Sequence, residues 1–384
     1  YLYHFHTNRI ADIVEDFKFD TSFKYPHVYE NPKKTFINLI KIGAKKRGVK
    51  LEGKIKEIVI SELRDLEKTQ QIDYLLLVQK IISWANENGA FQGYSRGSIS
   101  GSYVAYLLGI TEMDSIKWDL NFFRYCSPLR ISIADCDLDW YESDRDIVLE
   151  YILKDNMNMD NIKTAKIITF NTIALKGAIR DVGRAMNINL SEVSKICDEI
   201  ETNEEYFRNI KKYKELFKYV DMLIGVIVSI GSHPAGIIIA DRDIEDEMGL
   251  CTLATTEYPV SCINMKEIDY LGYVKMDMLG LDNIGLINET CKLANIKRLT
   301  PDNTPEFDEN VWKSIADDAT LIFQWESSSS SKYLKGLFKD ELIDKLKSEN
   351  DKFSYIDWLS FGNGLIRPAC ESYRDDILTG NFYD

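Results

Sequence analysis

The sequence predicts an α+β protein in which a sheet bearing acidic residues is flanked by helices. Phe36, Ile40 and Ala44 recur at the spacing of a helix with one buried face. Residues 130–140 and 273–279 instead alternate between polar and apolar side chains, which is typical of strands with one buried face. With 384 residues, the chain is long enough for two or three domains of this mixed kind.

Helical, loop and strand patterns can be assigned in order along the whole sequence. Residues 1 to 32 contain a short helical pattern, and residues 35 to 88 are predicted to form helices. A Gly/Ser loop, Gly93 to Ser102, then runs into an apolar helix from Tyr103 to Leu108. The acidic strand comes next, followed by a mainly helical stretch (about 145 to 228), further strands (229 to 284) and a charged helical remainder (285 to 384).

Composition excludes several classes of protein. No apolar run is long enough to span a membrane, and the N-terminus does not resemble a signal peptide. Because the chain lacks an initiator Met, we expect it to begin inside a larger polypeptide. Seven cysteines without any CxxC pair argue against structural zinc and disulfides, and indicate a reducing cytoplasm. The net charge of −14 argues against non-specific nucleic-acid binding by the whole surface but leaves room for a local basic track.

The most informative pattern is the acidic strand, in which Asp135, Asp137 and Asp139 stand at alternate positions. Their carboxylates would share one face of a strand, and Mg²⁺ with substrate phosphates is the natural occupant of such a face. Taken alone, the pattern fits a solvated acidic edge equally well. An EF-hand is excluded, because Trp140 and Asp146 stand where that loop needs Gly and Glu.

The Gly/Ser loop offers Arg96, Gly97 and Ser98 just before a helix, where backbone N–H groups favour a phosphate. Without a Gly-Lys-Ser/Thr sequence it is not a Walker A loop, and alone it fits a turn or linker better. Arg124 and Arg130 lie between this loop and the aspartates, close enough in sequence to reach the same site.

A second strand carries Lys275 and Asp277 on one predicted face. Two-metal phosphoryl transfer needs carboxylates from more than one strand, and a nearby lysine can offset triphosphate charge. The alternative is a structural Lys–Asp pair at a sheet edge.

Lys176, Arg180 and Arg184 recur every four residues and predict a basic stripe on one helix face. Such a stripe is usually solvated, but in so acidic a chain it is a candidate for binding a DNA backbone. His4 and His6 lack clear metal-ligand spacing, and His233 could either face the site or be structural.

Together these segments resemble the C-family bacterial replicative DNA polymerases, the polymerase III α subunit and its relatives. The resemblance rests on motifs in matching order: residues 96–106 with GRGSxxGSxVAY, 135–139 with PDxDxDF, 179–184 with IRDVGR, His233 and Gly236 with HxxG, 275–281 with KxDxLGL, 323–327 with FQxES, and Arg367-Pro368 with RPGP. The sequence departs from these motifs at Tyr94-Ser95, Ala134 and Ala369-Cys370, which suggests a divergent or truncated member of bacterial or phage origin.

The resemblance implies a polymerase β-like nucleotidyltransferase palm with a helical thumb insertion and the helical start of the fingers. The implied domains are a remnant of a phosphoesterase-joining segment (1–32), palm (33–153 and 229–284), thumb (154–228) and fingers (285–384). It implies that Asp135, Asp137 and Asp277 are catalytic ligands of two Mg²⁺ ions, with Asp139 auxiliary. The implied nucleotide-binding residues are Arg96, Gly97, Ser98, Arg124, Arg130 and Lys275, and those for DNA are Lys176, Arg180 and Arg184.

The function expected from this resemblance is template-directed DNA synthesis from dNTPs on primer-template DNA, in the bacterial cytoplasm and without a membrane. A sliding clamp or proofreading subunit would bind through regions outside this chain. Two alternatives remain open: a catalytically silent DNA-binding or assembly relative, and a template-independent nucleotidyltransferase on the same palm.

Overall fold

The structure is a computed structural model that describes residues 2–14, 18–129 and 136–381. It forms two units, residues 1–281 and residues 282–384. No helix in the described part is both long and apolar enough to cross a bilayer. All seven cysteines are free thiols, as their scattered spacing predicted.

The first unit contains eleven helices and six strands within its described residues. The helices are α1 (Leu2–Ile13), α2 (Pro32–Lys46), α3 (Gly53–Lys68), α4 (Ile72–Glu87), α5 (Tyr103–Leu108), α6 (Glu142–Leu153), α7 (Leu175–Ala185), α8 (Leu190–Asn209), α9 (Lys214–Leu223), α10 (Ile244–Met248) and α11 (Met265–Tyr270). The strands are β1 (Leu138–Trp140), β2 (Lys163–Thr172), β3 (Ile227–Ala240), β4 (Leu250–Leu253), β5 (Thr256–Asn264) and β6 (Lys275–Gly280).

The six strands form one mixed sheet in the order β1-β6-β3-β2-β5-β4. β1 and β6 are parallel, as are β2 and β5, whereas the other neighbours are antiparallel. The sheet confirms the predicted α+β class. The stretch from about 145 to 228 is mainly helical, as predicted, but it also contains the strand β2. Its centre carries an apolar run, Ile167-Ile168, that pairs with β3 and β5, so tertiary pairing overrode the helical pattern around it.

Helices α2 to α5 form most of the main core beside the sheet. α4 buries eight of its residues between Tyr74 and Ala85, and every residue of α5 is buried. α2 buries Phe36, Ile40 and Ala44, the spacing that predicted this helix. Helices α7, α8 and α9 have a separate small core of their own.

The contact between α2 and α5 depends on Gly43, because a Cβ there would overlap the carbonyl oxygen of Leu107. We expect Gly43→Ala to lower the free energy of unfolding by about 1–3 kcal/mol, since the two helices would have to separate. Gly177→Ala in α7 is the matched control: its Cβ would meet only Ile173 Cγ2 at an ordinary 3.7 Å. It should raise stability by about 0.5–1 kcal/mol, as helical Gly→Ala changes do. Urea unfolding measures both, and a Gly43→Ala midpoint equal to that of the wild type would contradict the packing described.

The second unit is helical, as predicted for residues 285–384. Its helices are α12 (Asp282–Leu293), α13 (Glu309–Asp317), α14 (Ser328–Leu337), α15 (Asp340–Glu349), α16 (Tyr355–Leu365) and α17 (Arg374–Leu378). Trp325, Leu334 and Leu337 lie at the centre of its core. The low-complexity serines serve a structural purpose here, because Ser327 caps α14 by accepting a hydrogen bond from the Ser330 N–H.

Candidate active site

Two of the predicted catalytic aspartates belong to neighbouring chain segments of the sheet: Asp137 directly precedes β1, and Asp277 lies in β6. β1 and β6 run parallel, with Leu138 opposite Met278. Asp137 and Asp277 each come one residue before this pair, so the parallel register places them side by side where β1 begins. Met276 and Met278 are fully buried while Lys275 and Asp277 are only partly so, which confirms the predicted alternation along β6. Asp135 and Arg130 lie outside the described residues, so their place in the site stays a prediction.

Asp277 has an unusual environment. Its Oδ1 atom is inaccessible to solvent and has no hydrogen-bond partner among the described residues. A buried carboxylate oxygen without a partner is costly, and such atoms mark sites that a cation or ligand completes. Asp137, whose side chain is 34 % exposed, offers a second carboxylate beside it. Carboxylate oxygens on a surface open to solvent suit a hard divalent cation.

Among the described side chains, no cluster of three or more possible metal ligands exists. The His4 side chain lies outside this described part. The predicted ligand set includes Asp135, which also lies outside it. Asp137 and Asp277 thus form the described part of the candidate site.

Asp139 has a definite structural partner. It is 7 % exposed and accepts a 2.8 Å hydrogen bond from Nη1 of Arg96, whose Nε lies 3.7 Å from Asp137 Oδ2. Burial raises the pKa of Asp139, and the charge of Arg96 opposes that rise. Arg96 therefore connects Asp139 with Asp137, one of the predicted catalytic carboxylates. The pattern of alternating aspartates gave no sign of this pairing, because its partners are 43 residues apart.

The Gly/Ser loop is held against β1 by backbone contacts. The Gly93 N–H donates to the Asp139 carbonyl at 2.7 Å, and Gln92 forms an antiparallel bridge with Trp140. Further along, residues 97–101 form a 3₁₀ turn in which Gly97 has a φ of +69° and is exposed. These contacts, with those of Arg96 to Asp137 and Asp139, hold the start of the loop at the carboxylate edge of the sheet, and half-buried Ser98 follows two residues after Arg96.

The start of α5 differs from the sequence expectation. Its N–H groups were expected to be free for a phosphate, but Glu62 of α3 already occupies them. The Tyr103 and Val104 N–H groups each donate to Glu62 at 2.9 Å, and the Ser102 hydroxyl donates to it at 2.8 Å. Glu62 is 4 % exposed, and burial raises its pKa against these three hydrogen bonds.

Sequence reasoning missed Glu62, although a signal was present. Glu62 stands on the same helical stripe as Val59 and Leu66, which are both buried. A charged residue on an apolar stripe indicates a buried polar contact. The anion-binding capacity of the α5 N-terminus is thus satisfied within the protein, and any triphosphate contact from this loop would come from residues 96–98.

The other two predicted nucleotide-binding residues that the structure describes differ in their availability. Arg124 ends a 3₁₀ turn, Phe122–Arg124, and is exposed. This turn packs against the Gly/Ser loop, since a Cβ at Gly101 would lie 2.5 Å from the Asn121 carbonyl oxygen. Lys275 is 19 % exposed and forms an ion pair with Asp269 at 3.2 Å. Its ion-pair partner among the described residues is therefore Asp269, whereas the structural pair expected as the alternative was with Asp277.

His233 lies on β3, three residues before Gly236, which pairs with Asp277. Its Nδ1 accepts hydrogen bonds from the N–H groups of Gly236 at 2.6 Å and Ala235 at 3.2 Å. A Cβ at Gly236 would lie 2.8 Å from that nitrogen, which explains the glycine. The imidazole thus has a structural role in turning the strand beside the site.

The predicted basic stripe lies on α7, whose opposite face packs into the core of α7, α8 and α9 through Ile179 and Val182. Arg180 and Arg184 are exposed, and Arg184 has an ion pair with Asp181 at 3.0 Å. Lys176 is half-buried and forms an ion pair with Glu201 at 2.7 Å. The helix and its basic face are confirmed, whereas DNA binding stays a prediction.

Comparison with known proteins supports the same family as the motifs. Residues 34–280 match the family model described as the bacterial DNA polymerase III alpha NTPase domain. The DNA polymerase III subunit alpha of Ureaplasma parvum is 35 % identical over 347 residues, covering 85 % of this chain and 34 % of that protein. The subunits of Chlamydia pneumoniae and Escherichia coli O157:H7 are 32 % and 30 % identical, covering 74 % and 78 % of this chain but 24 % and 27 % of their own lengths. The chain therefore spans between a quarter and a third of these relatives, and it belongs to the bacterial DNA polymerase III alpha family.

Proposed function

We propose that this chain carries the catalytic centre of a template-directed DNA polymerase that acts in the cytoplasm. The observation that carries this proposal is the parallel pairing of β1 and β6, which sets Asp137 beside Asp277 while Arg96 bridges Asp137 and Asp139. The family supports the polymerase assignment, since its named members are DNA polymerase subunits.

In the proposed reaction a primer 3′-hydroxyl attacks the α-phosphorus of a dNTP, the bond to the β-phosphate oxygen breaks, and pyrophosphate leaves. Asp137 and Asp277, with Asp135, would hold two Mg²⁺ ions, which would lower the pKa of the 3′-hydroxyl and neutralise charge on the leaving group. The remaining work of the protein is positioning and charge stabilisation.

The triphosphate would lie along the Gly/Ser loop. Arg96 contacts the carboxylates through Nη1 and Nε, and its Nη2 would donate to phosphate oxygens. Exposed Gly97 lets a phosphate approach the backbone closely, and Ser98 supplies a hydroxyl. Arg124 and Lys275 add positive charge, and the same role is proposed for Arg130.

The remaining regions follow the palm, thumb and fingers division. We assign residues 33–153 and 229–284 to the palm, 154–228 to the thumb and 285–384 to the start of the fingers, with β2 joining the palm sheet. Lys176, Arg180 and Arg184 would contact the backbone of the duplex. The sliding clamp and proofreading subunit remain proposed partners of regions outside this chain.

Single-nucleotide primer extension tests the proposal. Four templates are used that differ only in the first unpaired base. Each template is incubated with Mg²⁺ and one dNTP at a time, and we expect only the complementary nucleotide to be added. Chelation of the metal by EDTA should stop the reaction, and added Mg²⁺ should restore it.

The same experiment separates the alternatives. Incorporation that ignores the template base would indicate a template-independent nucleotidyltransferase. No incorporation, together with no Mg²⁺-dependent dNTP binding by calorimetry, would indicate a catalytically silent relative. Either result would overturn the proposal.

A further inference from the structure

A second basic surface lies on α2, which sequence analysis treated only as a core helix. α2 contains five lysines and no acidic residue. Because Phe36, Ile40 and Ala44 are buried, the opposite side of the helix must face solvent. Lys34, Lys41 and Lys45 occupy that side at intervals of seven and four residues and are all exposed.

The positive charge continues beyond the helix. Between Lys34 and Lys56 the sequence has eight basic residues and a single acidic one, Glu52, in a chain of net charge −14. Arg47 is used internally, because it pairs with Glu112 at 3.1 Å and stacks on the Tyr106 ring at 3.8 Å. The other seven are exposed and have no ion-pair partner within the described residues; we call them the lysine surface: Lys34, Lys41, Lys45, Lys46, Lys50, Lys54 and Lys56.

An open groove of about 1150 Å³ lies beside the lysine surface. Lys33, Lys34 and Lys41 line it together with Glu30 and Tyr29, and Lys33 forms an ion pair with Glu67. Tyr29 is half-buried, and the Lys80 Nζ lies 5.5 Å from the centre of its ring. A positively charged groove with an aromatic ring is the usual arrangement in proteins that bind single strands without sequence preference, because every base can stack on the ring.

We propose that the lysine surface and the Tyr29 groove bind single-stranded DNA, independently of base sequence. The Lys34–Lys45 stripe spans about 16 Å at 1.5 Å per residue, which is long enough to contact two or three successive phosphates. A membrane is a poorer partner, because an amphipathic helix binds lipid through its apolar face, and that face of α2 is buried. This binding does not depend on catalysis by Asp137 and Asp277.

The test is fluorescence anisotropy of a labelled oligothymidine of about 20 nucleotides over a series of salt concentrations. The triple variant Lys34→Gln/Lys41→Gln/Lys45→Gln should bind about tenfold or more weakly at low salt. The slope of log K against log salt is negative, and its magnitude should decrease by about 2 in this variant. Tyr29→Leu should weaken binding by about tenfold and leave the slope unchanged, since stacking releases no counterions.

The matched control removes three exposed lysines elsewhere, Lys154→Gln/Lys266→Gln/Lys297→Gln. It should bind as the wild type does. Equal losses in both triple variants would show a general charge effect and overturn the proposal, as would unchanged binding by the lysine-surface variant. Tighter binding of duplex, or binding of phosphatidylserine vesicles without binding of the oligonucleotide, would also overturn it.

A catalytically inactive background separates this inference from the proposed polymerase function. When the three lysine-surface substitutions are made in Asp277→Asn protein, they should lower the affinity for single-stranded DNA and the magnitude of the salt slope as much as they do in the wild type. If primer extension is absent even in the wild type while these losses persist, the proposed function fails and the lysine surface stands.

Discussion

Primer extension by the Asp277→Asn variant should fall at least about 10³-fold, because the substitution removes a charge that, in the proposed function, acts on the reacting groups. The free energy of unfolding should not fall and should stay the same or rise. Asp277 Oδ1 is buried without a partner among the described residues, so the neutral amide relieves an uncompensated charge. We therefore expect its urea midpoint to equal or exceed that of the wild type, which is the behaviour of a residue retained for activity at some cost in stability.

Asp137→Asn should show a similar loss of activity by the same reasoning. Its effect on stability should be small, because Asp137 is partly exposed and the Arg96 Nε, its ion-pair partner among the described residues, is 3.7 Å away. Asp160→Asn is the control, since it makes the same charge change at an exposed position of the same unit and should leave extension unchanged. Extension by either active-site variant within tenfold of the wild-type rate, in folded protein, would contradict the assignment.

The sequence predicted those features that depend on a local period. Lys275 and Asp277 share one face of β6 because side chains alternate along any strand, and the neighbouring methionines show which face is buried. The basic face of α7 follows from helical spacing in the same way. Both predictions needed only residues a few positions apart.

Features that depend on pairing between distant segments were not predictable in this way. β2 was not predicted as a strand, and its partners β3 and β5 come from much later in the chain. The Arg96–Asp139 pair and the Glu62 contacts join segments about 40 residues apart, and neither has a local period. Motif order could identify the family, but only the fold shows which carboxylates have hydrogen-bond partners within the described residues and that Asp277 Oδ1 has none there.

Glu62 shows why such a long-range contact matters for the site, and its removal should be the most destabilising of the changes considered. Glu62→Ala would leave the Ser102 hydroxyl and the Tyr103 and Val104 N–H groups buried without an acceptor. Each unsatisfied group costs about 1–3 kcal/mol, although the loss of a desolvated carboxylate returns part of this. We expect a net loss of about 2–4 kcal/mol in the free energy of unfolding, measured in urea.

Glu62→Gln separates the hydrogen bonds from the volume of the side chain. The amide keeps the shape but has one oxygen, so its NH₂ group would face a backbone N–H or the Ser102 hydroxyl. It should therefore be clearly destabilised, whereas Glu57→Gln, at an exposed position of the same helix, should match the wild type.

The effect on activity should follow from the position of Ser102 at the end of the Gly/Ser loop. When the hydrogen bonds between Glu62 and the end of the loop are weakened, Arg96, Gly97 and Ser98 lose their fixed geometry. KM for the dNTP should therefore rise about tenfold, with a smaller change in kcat. Asp277→Asn should instead lower kcat with little change in dNTP affinity. Equal stability of Glu62→Gln and Glu57→Gln would show that the carboxylate does not hold the loop, and an unchanged KM in a destabilised Glu62→Gln protein would confine its role to folding.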